Sequence, residues 1–421
     1  MSKTVNTDPS CMDDFDPNSV RVQQALARID ETIGTIEGFE SVAIRSALGR
    51  TLAMDVLSPI NVPSHTNSAM DGYAVRSQDL PQSDTGTLTV VGTAFAGHPL
   101  EQAIGPGQCA RIMTGAMMPE GADTVIMQEH VEREDDRVTV DARHQPGQNV
   151  RQVGEDLSVG QIVLHSGRRI IPADLGLLAS LGVAEVRVMR RPRVAFFSTG
   201  DELRSIGQPL ASGQIYDSNR YTLFGMLTEL GVEIMDMGVI PDDREQIEQA
   251  FRYAAENADA FITTGGVSVG EADYVKETLD RLGKVDFWKI AMKPGRPLAF
   301  GEVKGAYFFG LPGNPVSSMV TFYQFVLPAL KRLMGQTDVE PVRIPVRCAS
   351  SLKKRAGRME YQRGILETSE DGSMVVRSTG HQGSHILSSM SEANCFIVLP
   401  LENDGVKPGD VVEVQPFYGL I

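Results

Sequence analysis

The stretch FITTGGVSVGEAD, residues 261–273, decides the fold of this chain. Its first half is an apolar run that predicts a β-strand, and the strand ends in a loop rich in glycine and hydroxyl side chains. The segment that follows, DYVKETLDRLG, favours a helix. Because glycine N–H groups and a helix N-terminus can point at one anion, this junction predicts an anion-binding turn. On spacing alone, an ordinary strand–helix junction explains the loop equally well.

Composition limits the kind of ligand that such a turn can serve. The chain has 421 residues, of which 42% are hydrophobic and 22% charged, as in soluble globular proteins. This length predicts three or four domains, each with its own core. The 39 basic and 54 acidic side chains give a net charge of −15, which argues against a general binder of nucleic acid or anionic membranes. An anionic ligand would therefore need local basic groups or a metal ion.

Cysteine and histidine usage argues against thiolate and histidine metal sites. The four cysteines are far apart and form no CxxC pair: Cys11, Cys109, Cys348 and Cys395. We expect reduced thiols in a cytoplasmic protein. The seven histidines include no HxxxH pair, and no GxSxG elbow supports a serine hydrolase. The polar, acidic N-terminus is not expected to be a secretory signal, and no apolar run approaches the roughly 20 residues of a membrane span.

The first 190 residues alternate between helical and β-rich patterns. A helix with Ser19 as its cap precedes a β-rich stretch over residues 59–150, and a second helical signal follows that stretch. We therefore predict that residues 59–150 form a β-rich domain inserted into a discontinuous α+β linker domain made of residues 19–58 and 151–190.

Two further domains are predicted beyond residue 190. Residues 191–337 alternate apolar strands with helices, which predicts an α/β domain with a mostly parallel sheet covered on both faces. Ligands of such sheets bind at the carboxyl ends of the strands, where the 261–273 loop also falls. Residues 338–421 return to a β pattern with hairpin cues at residues 370–372 and 403–405, which we interpret as a compact C-terminal β-barrel or sandwich. The predicted fold class is therefore a multidomain α/β plus β protein.

Acidic motifs follow successive predicted strands of the α/β domain. STGDEL, residues 198–203, contains Glu202; PDD, residues 241–243, contains Asp242; and Asp273 ends the glycine-rich loop. Each motif alone is also typical of a helix start with acidic first-turn residues. Together they predict a Mg²⁺ site, because carboxylate oxygens beside a phosphate are the ligands that Mg²⁺ prefers.

Basic motifs follow the later strands. KIAMKPGRP, residues 289–297, supplies Lys289, Lys293 and Arg296 around a rigid turn, and a phosphate or another oxyanion suits such cations. The alternative is a set of solvated surface lysines. GLPGNPVSS, residues 310–318, places Ser317 at a helix N-terminus, which also favours an anion. The C-terminal domain carries a basic run that is either an anion-steering patch or a solvated surface: Arg343, Arg347, Lys353, Lys354, Arg355, Arg358 and Arg363.

Nine motifs in this order resemble the MoeA family of molybdopterin molybdenumtransferases, to which the C-terminal region of gephyrin belongs. They are NSAMDGYA, TGAMMPEGAD, GED, STGDEL, QIYDSN, TTGGVSVGEADYVK, KPGRP, LPGNPVSS and QGSHILSSM. The resemblance implies an elongated homodimer of four-domain subunits, in which the discontinuous domain serves dimerisation and the α/β domain binds the pterin. It also implies insertion of molybdate into adenylylated molybdopterin with release of AMP and formation of molybdenum cofactor. Mg²⁺ would assist, with Zn²⁺ as the alternative metal.

The resemblance also implies roles for individual residues. Asp242 and Asp273 would hold the metal, and Glu202 would orient a water or a substrate group. The phosphate cradle would consist of Gly265, Gly266, Ser268 and Gly270. Molybdate would bind Lys293, Arg296 and Ser317, with Lys289 and Pro297 in the same segment and Arg358 and Ser389 closing the pocket. Arg296 stands where many relatives have lysine, which would change the geometry but keep the charge.

The inserted domain contributes Asp71 and Thr114, which match family motifs but are also typical of turns. In a dimer they would reach the partner's crevice. Two other functions remain open: a molybdopterin adenylyltransferase, because the TTGGVSVG loop is similar in both families, and a non-enzymatic scaffold of the gephyrin type. Expected partners are the pterin, molybdate, a second subunit, and transiently the adenylyltransferase and molybdoenzymes. No nucleic acid or membrane is expected.

Overall fold

Three six-stranded sheets organise the part of the chain that the computed structural model describes, residues 19–265 and 274–417. No helix within these ranges has the length and apolar character needed to cross a membrane. The helices are α1 (Val22–Thr32), α2 (Pro172–Ser180), α3 (Ser218–Leu230), α4 (Arg244–Asn257), α5 (Tyr274–Leu282), α6 (Pro315–Thr321), α7 (Leu327–Leu333) and α8 (Ser388–Glu392). A π-helical turn, Phe322–Val326, joins α6 to α7.

The first half of the chain forms one six-stranded sheet and several short pairs. Its strands are β1 (Phe39–Ala43), β2 (Val56–Leu57), β3 (Asn67–Ser68), β4 (Gly72–Val75), β5 (Thr85–Ala94), β6 (Gln108–Ile112), β7 (Thr124–Met127), β8 (Glu132–Glu134), β9 (Arg137–Asp141), β10 (Val150–Arg151), β11 (Ile162–Leu164) and β12 (Glu185–Met189). The six-stranded sheet has the order β7-β4-β6-β5-β9-β8. Strand β1 pairs with β12, and β2 pairs with β11, so the segments on either side of that sheet pair with each other. An inserted β-rich domain within a discontinuous one is thereby confirmed, while the exact bounds stay a prediction.

Helix α1 packs against the α/β part of the chain. Its buried residues Val22, Ala25 and Ile29 share a core cluster with Val194 and Phe196 of the central sheet. The apolar face of α1 is therefore covered mainly by the core of the α/β part and not by the β1–β12 pair. Ser19 is not the cap, contrary to the prediction: the helix begins at Val22, and the Gln24 side chain accepts a hydrogen bond from the Arg21 N–H at 3.1 Å.

The central sheet is buried on both faces. Its strands and the short strands near it are β13 (Arg193–Thr199), β14 (Leu203–Arg204), β15 (Ile215–Tyr216), β16 (Glu233–Ile240), β17 (Ala260–Thr264), β18 (Gly283–Lys289), β19 (Met292–Lys293), β20 (Pro297–Val303) and β21 (Ala306–Leu311). In the order β16-β13-β17-β21-β20-β18, the first four strands are parallel. Phe196 of β13 packs into the cluster with α1, α3 and α6, and Phe197 packs into the cluster with α4 and α5. Successive residues of a strand point to opposite faces, so the apolar run in β13 is explained.

A five-stranded closed barrel forms the C-terminal unit, as predicted. Its strands and the short pair beside them are β22 (Ile344–Cys348), β23 (Leu352–Lys353), β24 (Met359–Thr368), β25 (Met374–Ser378), β26 (Cys395–Leu399), β27 (Gly405–Val406) and β28 (Val411–Pro416). The barrel closes because β24 pairs with both β25 and β26. Strand β19 of the α/β part pairs in parallel with the start of β24, with Lys293 opposite Glu360. This pairing joins the barrel to the central sheet.

Two glycines of the α/β part give opposite predictions for stability. A Cβ on Gly301 of β20 would overlap the backbone of Lys284 and Val285 on β18, whereas a Cβ on Gly225, exposed in α3, would meet no atom within 4 Å. We expect Gly301→Ala to lower the free energy of unfolding by about 1–3 kcal/mol through overpacking. We expect Gly225→Ala to raise it by about 0.5–1 kcal/mol, because alanine loses less backbone entropy in a helix. Urea unfolding of both variants checks the pair, and equal effects would contradict the packing of β18 on β20.

Candidate active site at the carboxyl edge of the central sheet

Four motifs predicted from the sequence meet at one edge of the sheet. The parallel registers place Thr199 opposite Ile240, Ser198 opposite Thr264, and Thr264 opposite Leu311. The segments STGDEL, PDD, TTGG and GLPGN contain or directly follow these strand ends. The strand ends are fixed by direct interstrand contact, since the Ser198 hydroxyl lies 2.9 Å from that of Thr264 in a buried hydrogen bond. Polar loops from distant parts of the chain therefore lie side by side.

Carboxylates gather at one end of this edge. The Asp242 N–H donates a hydrogen bond to Asp201 Oδ1 at 3.2 Å. Partial burial raises the pKa of Asp242, and the negative charges of Asp201 and Glu202 raise it further. A carboxyl whose ionised form is penalised by its neighbours is stabilised by an added cation. The edge therefore favours a positive ligand group or a metal ion at Asp242.

Two of the acidic motifs, STGDEL and PDD, also contain residues with a structural role. The Asp243 side chain caps α4 by accepting a hydrogen bond from the Gln246 N–H at 2.9 Å, so the helix-start interpretation of PDD holds for Asp243. Gly200 has φ +147°, and a Cβ there would come within 2.8 Å of the Glu202 carboxylate oxygens. The absence of a side chain at Gly200 thus lets Glu202 fold back toward the strand end.

The glycine-rich loop begins with a close backbone approach. Gly265 has φ +91°, and a Cβ there would lie 2.7 Å from the Thr199 carbonyl oxygen. Only glycine fits this position without strain. The other loop predictions fall on Gly266, Ser268, Gly270 and Asp273, which lie outside the described residues.

Buried polar atoms without partners surround the same edge. Among the described residues, no hydrogen bond reaches Thr199 Oγ1, Asp217 Oδ2 or Asn219 Oδ1. The last two belong to the QIYDSN motif, whose Asp217 also caps α3 and whose Asn219 donates to the Gly313 carbonyl at 2.7 Å. An unsatisfied buried polar atom costs about 1–3 kcal/mol, so a polar ligand at this edge would recover that energy. The sequence pattern alone assigns no functional role to Asp217 or Asn219.

The KPGRP turn lies against α6. A Cβ on Gly295 (φ +96°) would come 2.5 Å from Thr321 Oγ1 and 3.3 Å from the Ser317 carbonyl oxygen. The turn is closed by a hydrogen bond from the Ile290 N–H to the Arg296 carbonyl at 2.7 Å. Lys293 and Arg296 are half-buried, and the Ser317 residue is 5% exposed. Two cations and a serine therefore belong to adjoining segments, and their role in binding molybdate stays a prediction.

Lys289 lies apart from this group along the chain. It ends β18, is exposed, and pairs with Pro297 at the start of β20. Its backbone carbonyl accepts a hydrogen bond from the Val20 N–H at 2.8 Å. The pairing of Lys289 with Pro297 holds together the two ends of the turn between them. A catalytic role for Lys289 stays a prediction.

The barrel contributes a buried arginine, Arg363, which the sequence pattern does not distinguish from the other cations of the basic run. Arg363 is 1% exposed and forms no ion pair within the described residues. Burial lowers its pKa to about 10. Its guanidinium donates to Ser389 Oγ at 3.0 Å and to the Gly383 carbonyl at 3.0 Å, and the neighbouring Ser384 carbonyl accepts from the Val316 N–H at the start of α6. A buried cation without a carboxylate thus holds the QGSHILSSM segment against the GLPGNPVSS turn.

This arrangement changes the interpretation of the basic run. Ser389 is engaged twice, because it accepts from Arg363 and its hydroxyl donates to the Ile386 carbonyl at 2.7 Å. Arg358 is half-buried and directly precedes Met359, which pairs with Met292 beside Lys293. Lys354 is buried and donates to the Asn403 carbonyl at 2.7 Å. The run is therefore not one solvated surface. The alternation of side-chain directions along β24 could have indicated the burial of Arg363, because it places Arg363 on the same face as Tyr361.

Asp71 and Thr114 form a pair in the inserted sheet. Asp71 Oδ1 accepts from the Thr114 N–H at 2.7 Å and from its hydroxyl at 2.8 Å, and these bonds lower the pKa of Asp71. Both residues are exposed. Among the described residues, neither side chain forms a hydrogen bond or an ion pair with the carboxyl edge of the central sheet. The turn interpretation accounts for their local geometry.

The described residues contain no group of three His, Cys, Asp or Glu side chains arranged to hold a metal ion. What they do bring together is a carboxylate cluster, a glycine turn, unpaired buried polar atoms and a cationic turn. Such a set can bind a phosphate-bearing ligand at the strand ends and a second oxyanion beside the cations.

Comparisons with known proteins cover nearly the whole chain. It matches the MoeA N-terminal region (domain I and II) over residues 20–182, a probable molybdopterin binding domain over residues 195–332, and the MoeA C-terminal region (domain IV) over residues 345–417. The molybdopterin molybdenumtransferase of Haemophilus influenzae is 48% identical over 402 residues, which are 95% of this chain and 99% of the relative. Gephyrin of Dictyostelium discoideum is 34% identical over 94% of this chain and 62% of its own length.

The fold agrees with these relatives. A crystal structure of the molybdopterin biosynthesis moeA protein from Pyrococcus horikoshii OT3 superposes with a TM-score of 0.83 at 30% identity, over 95% of this chain and all of that one. The chain belongs to the MoeA family.

Proposed function

We propose that this chain is a transferase of molybdenum cofactor biosynthesis, which inserts molybdate into adenylylated molybdopterin and releases AMP. The observation that carries the proposal is the convergence of the four strand-end motifs with the cationic turn. Both reactants are anions, and a protein with net charge −15 needs such a local site to bring them together. Relatives matched along 99% and 88% of their length bear the name of this activity, which favours it over the adenylyltransferase and the scaffold.

Each reactant has a part of the site suited to it. The turn at Gly265 and the unpaired atom of Thr199 suit the phosphate-bearing pterin, and Gly266, Ser268 and Gly270 remain the predicted continuation of that cradle. Lys293, Arg296 and Ser317 suit the tetrahedral molybdate, because ammonium and guanidinium groups bind oxyanions by charge-assisted hydrogen bonds. The pairing of β19 with β24 places Glu360 opposite Lys293, so the barrel forms one wall of this site.

The carboxylate cluster suits a divalent cation. Asp242, whose pKa is raised by partial burial and by the charges of Asp201 and Glu202, would hold Mg²⁺ together with Asp273, and phosphate oxygens of the substrate would complete the oxygen ligands. The ion would neutralise phosphate charge when bound. Glu202 would orient a water or a substrate group. Zn²⁺ is the alternative metal.

The barrel residues have distinct proposed roles. Arg358 would approach molybdate from the barrel side. Arg363 is added to the sequence-based set because it positions the segment that contacts α6, and Ser389 would act through Arg363, since both its hydrogen-bonding roles are already used within the fold.

A homodimer is proposed from the distribution of exposed apolar side chains. The discontinuous domain exposes several large ones, including Phe39 (58% exposed), Leu57 (53%) and Val159 (60%). Exposed apolar surface on one unit is typical of a protein interface. Asp71 and Thr114 would then approach the crevice of the partner subunit. We further propose a cytoplasmic location, because Cys109, Cys348 and Cys395 are buried and unpaired, as in a reducing compartment.

Product analysis tests the proposed reaction. Incubation with adenylylated molybdopterin and Mg²⁺ should release AMP only when molybdate is present. Chromatography of AMP and pyrophosphate checks this outcome. Pyrophosphate formation from ATP and molybdopterin would instead indicate an adenylyltransferase, and absence of both products a scaffold.

Replacement of Lys293 separates the two substrates. We expect Lys293→Gln to raise the molybdate concentration needed for half-maximal AMP release by about tenfold or more, because a charge-assisted hydrogen bond is lost. Pterin binding should weaken much less. The matched control is Lys284→Gln, which removes the same charge from exposed β18. A larger loss of pterin affinity than of molybdate affinity would move Lys293 into the pterin site.

The acidic cluster predicts a pH dependence. Asp242 must be ionised to hold a cation, and its pKa is raised, so AMP release at limiting Mg²⁺ should fall as pH decreases through that raised pKa. Asp201→Asn removes a charge that raises this pKa, so the acid limb of the kcat/KM profile should move to lower pH. Asp243→Asn is the control, because asparagine still caps α4 and Asp243 is not among the groups to which the raised pKa of Asp242 is attributed. The cluster would have no such role if both variants left the profile unchanged.

A further inference from the structure

A cavity lies beside α3 and α7, and its lining includes none of the residues of the carboxylate cluster. It has a volume of about 280 Å³ and is enclosed by α3, the π-helical turn with α7, and the last described residue, Phe417. Arg169, from the loop before α2, completes its wall. The Thr337 N–H donates to the Gly167 carbonyl at 3.2 Å, and this bond brings the Arg169 loop to the end of α7.

One wall of this cavity is aromatic and rigid. Tyr323 and Phe417 stack with their ring centroids 5.8 Å apart and an interplanar angle of 5°, and both rest edge-on against the buried Phe396. Phe322, 1% exposed, continues the wall. Phe322 and Tyr323 begin the π-helical turn, a local departure from α-helix that is frequent at functional sites. A flat apolar group would stack on this wall.

The lining of the cavity also contains cations. Its lining contains two cations, Arg169 and Lys331, and one carboxylate, the exposed Glu229. Among the described residues, no carboxylate lies within ion-pairing distance of the Lys331 ammonium. Burial and the charge of Arg169 lower the pKa of Lys331, with Asp338 acting weakly in the opposite direction. A half-buried ammonium without a paired anion is destabilised, and a bound anion would relieve this cost.

A buried donor without a partner points to the same place. Gln336 is 7% exposed and lines the cavity, yet its Nε2 forms no hydrogen bond with any described residue. Its backbone N–H donates to the Lys331 carbonyl at 3.0 Å, which fixes the Gln336 backbone at the end of α7. The Lys331 ammonium therefore lines the cavity without an ion-pair partner among the described residues, and rotation of the Gln336 side chain would turn its buried Nε2 toward the same space.

We infer that this cavity is a binding site, separate from the carboxyl edge, for a small organic anion whose flat apolar ring carries one carboxylate or phosphate. The ring stacks on Tyr323 and Phe417, and the oxyanion accepts hydrogen bonds from Lys331 and Gln336, with Arg169 adding charge. Its volume lies just below the usual range for ligand pockets, which limits the ligand to about the size of one substituted ring.

Calorimetric titration of the full chain tests the site, with benzoate and phenyl phosphate as the two anionic probes. Benzamide, a neutral analogue of benzoate, and inorganic phosphate, which has no ring, should each bind at least about tenfold more weakly. A preference for benzoate or phenyl phosphate then identifies the oxyanion as carboxylate or phosphate. Equal binding of benzoate and benzamide would contradict the cationic site.

Variants distinguish this cavity from the proposed active site. Lys331→Gln should weaken benzoate binding about tenfold or more, and Gln336→Leu about threefold, while removal of the unpaired amide leaves the Tm unchanged or higher. Lys284→Gln and Lys293→Gln should retain full binding. Loss of binding in Lys293→Gln with retention in Lys331→Gln would place the probe at the carboxyl edge and overturn the inference. If Lys331→Gln fails to fold, Gln336→Leu with wild-type affinity would overturn it equally.

Discussion

Parallel pairing of β13 with β16 and with β17 is the constraint on which the site depends. It aligns Thr199 with Ile240 and Ser198 with Thr264, so loops separated by more than forty residues in the sequence leave the sheet at one edge. The Phe196 and Phe197 side chains anchor β13 in opposite cores, which fixes its register because a slip of one residue would exchange the two faces. This register sets the positions of the carboxylates, the glycine turn and the unpaired polar atoms.

The main elements of residues 191–337 could be predicted because their strands are apolar throughout and their helices are amphipathic. The same logic predicted that the strand-end motifs meet, since the carboxyl ends of parallel strands must share an edge. The inserted β-rich domain was also predictable, because a helical pattern on either side of a β pattern indicates a chain that leaves one domain and returns. The closed barrel followed from hairpin signals and short strands.

What the sequence could not supply was the identity of long-range partners. The apolar stripe of α1 indicates burial but not which surface covers it, and the partner is the core around Phe196. Arg363 was grouped with surface cations because arginine is rarely buried, yet it is almost fully enclosed and bonded to carbonyls and Ser389. Asp217 and Asn219 were missed for the same reason: their unpaired oxygens become visible only when the neighbouring loops are in place.

The strand pair β19–β24 ties the barrel to the turn that carries Lys293. Because the Met359 N–H is bonded to the Ala291 carbonyl at 2.9 Å and Lys293 lies within the pair, the barrel cannot swing away while the cationic turn stays behind. A hinge at the segment between α7 and β22 would draw the ammonium of Lys293 outward with the barrel. The same motion would then widen the entrance of the cleft and weaken the binding of an oxyanion to Lys293. Release of the product would need no second conformational change.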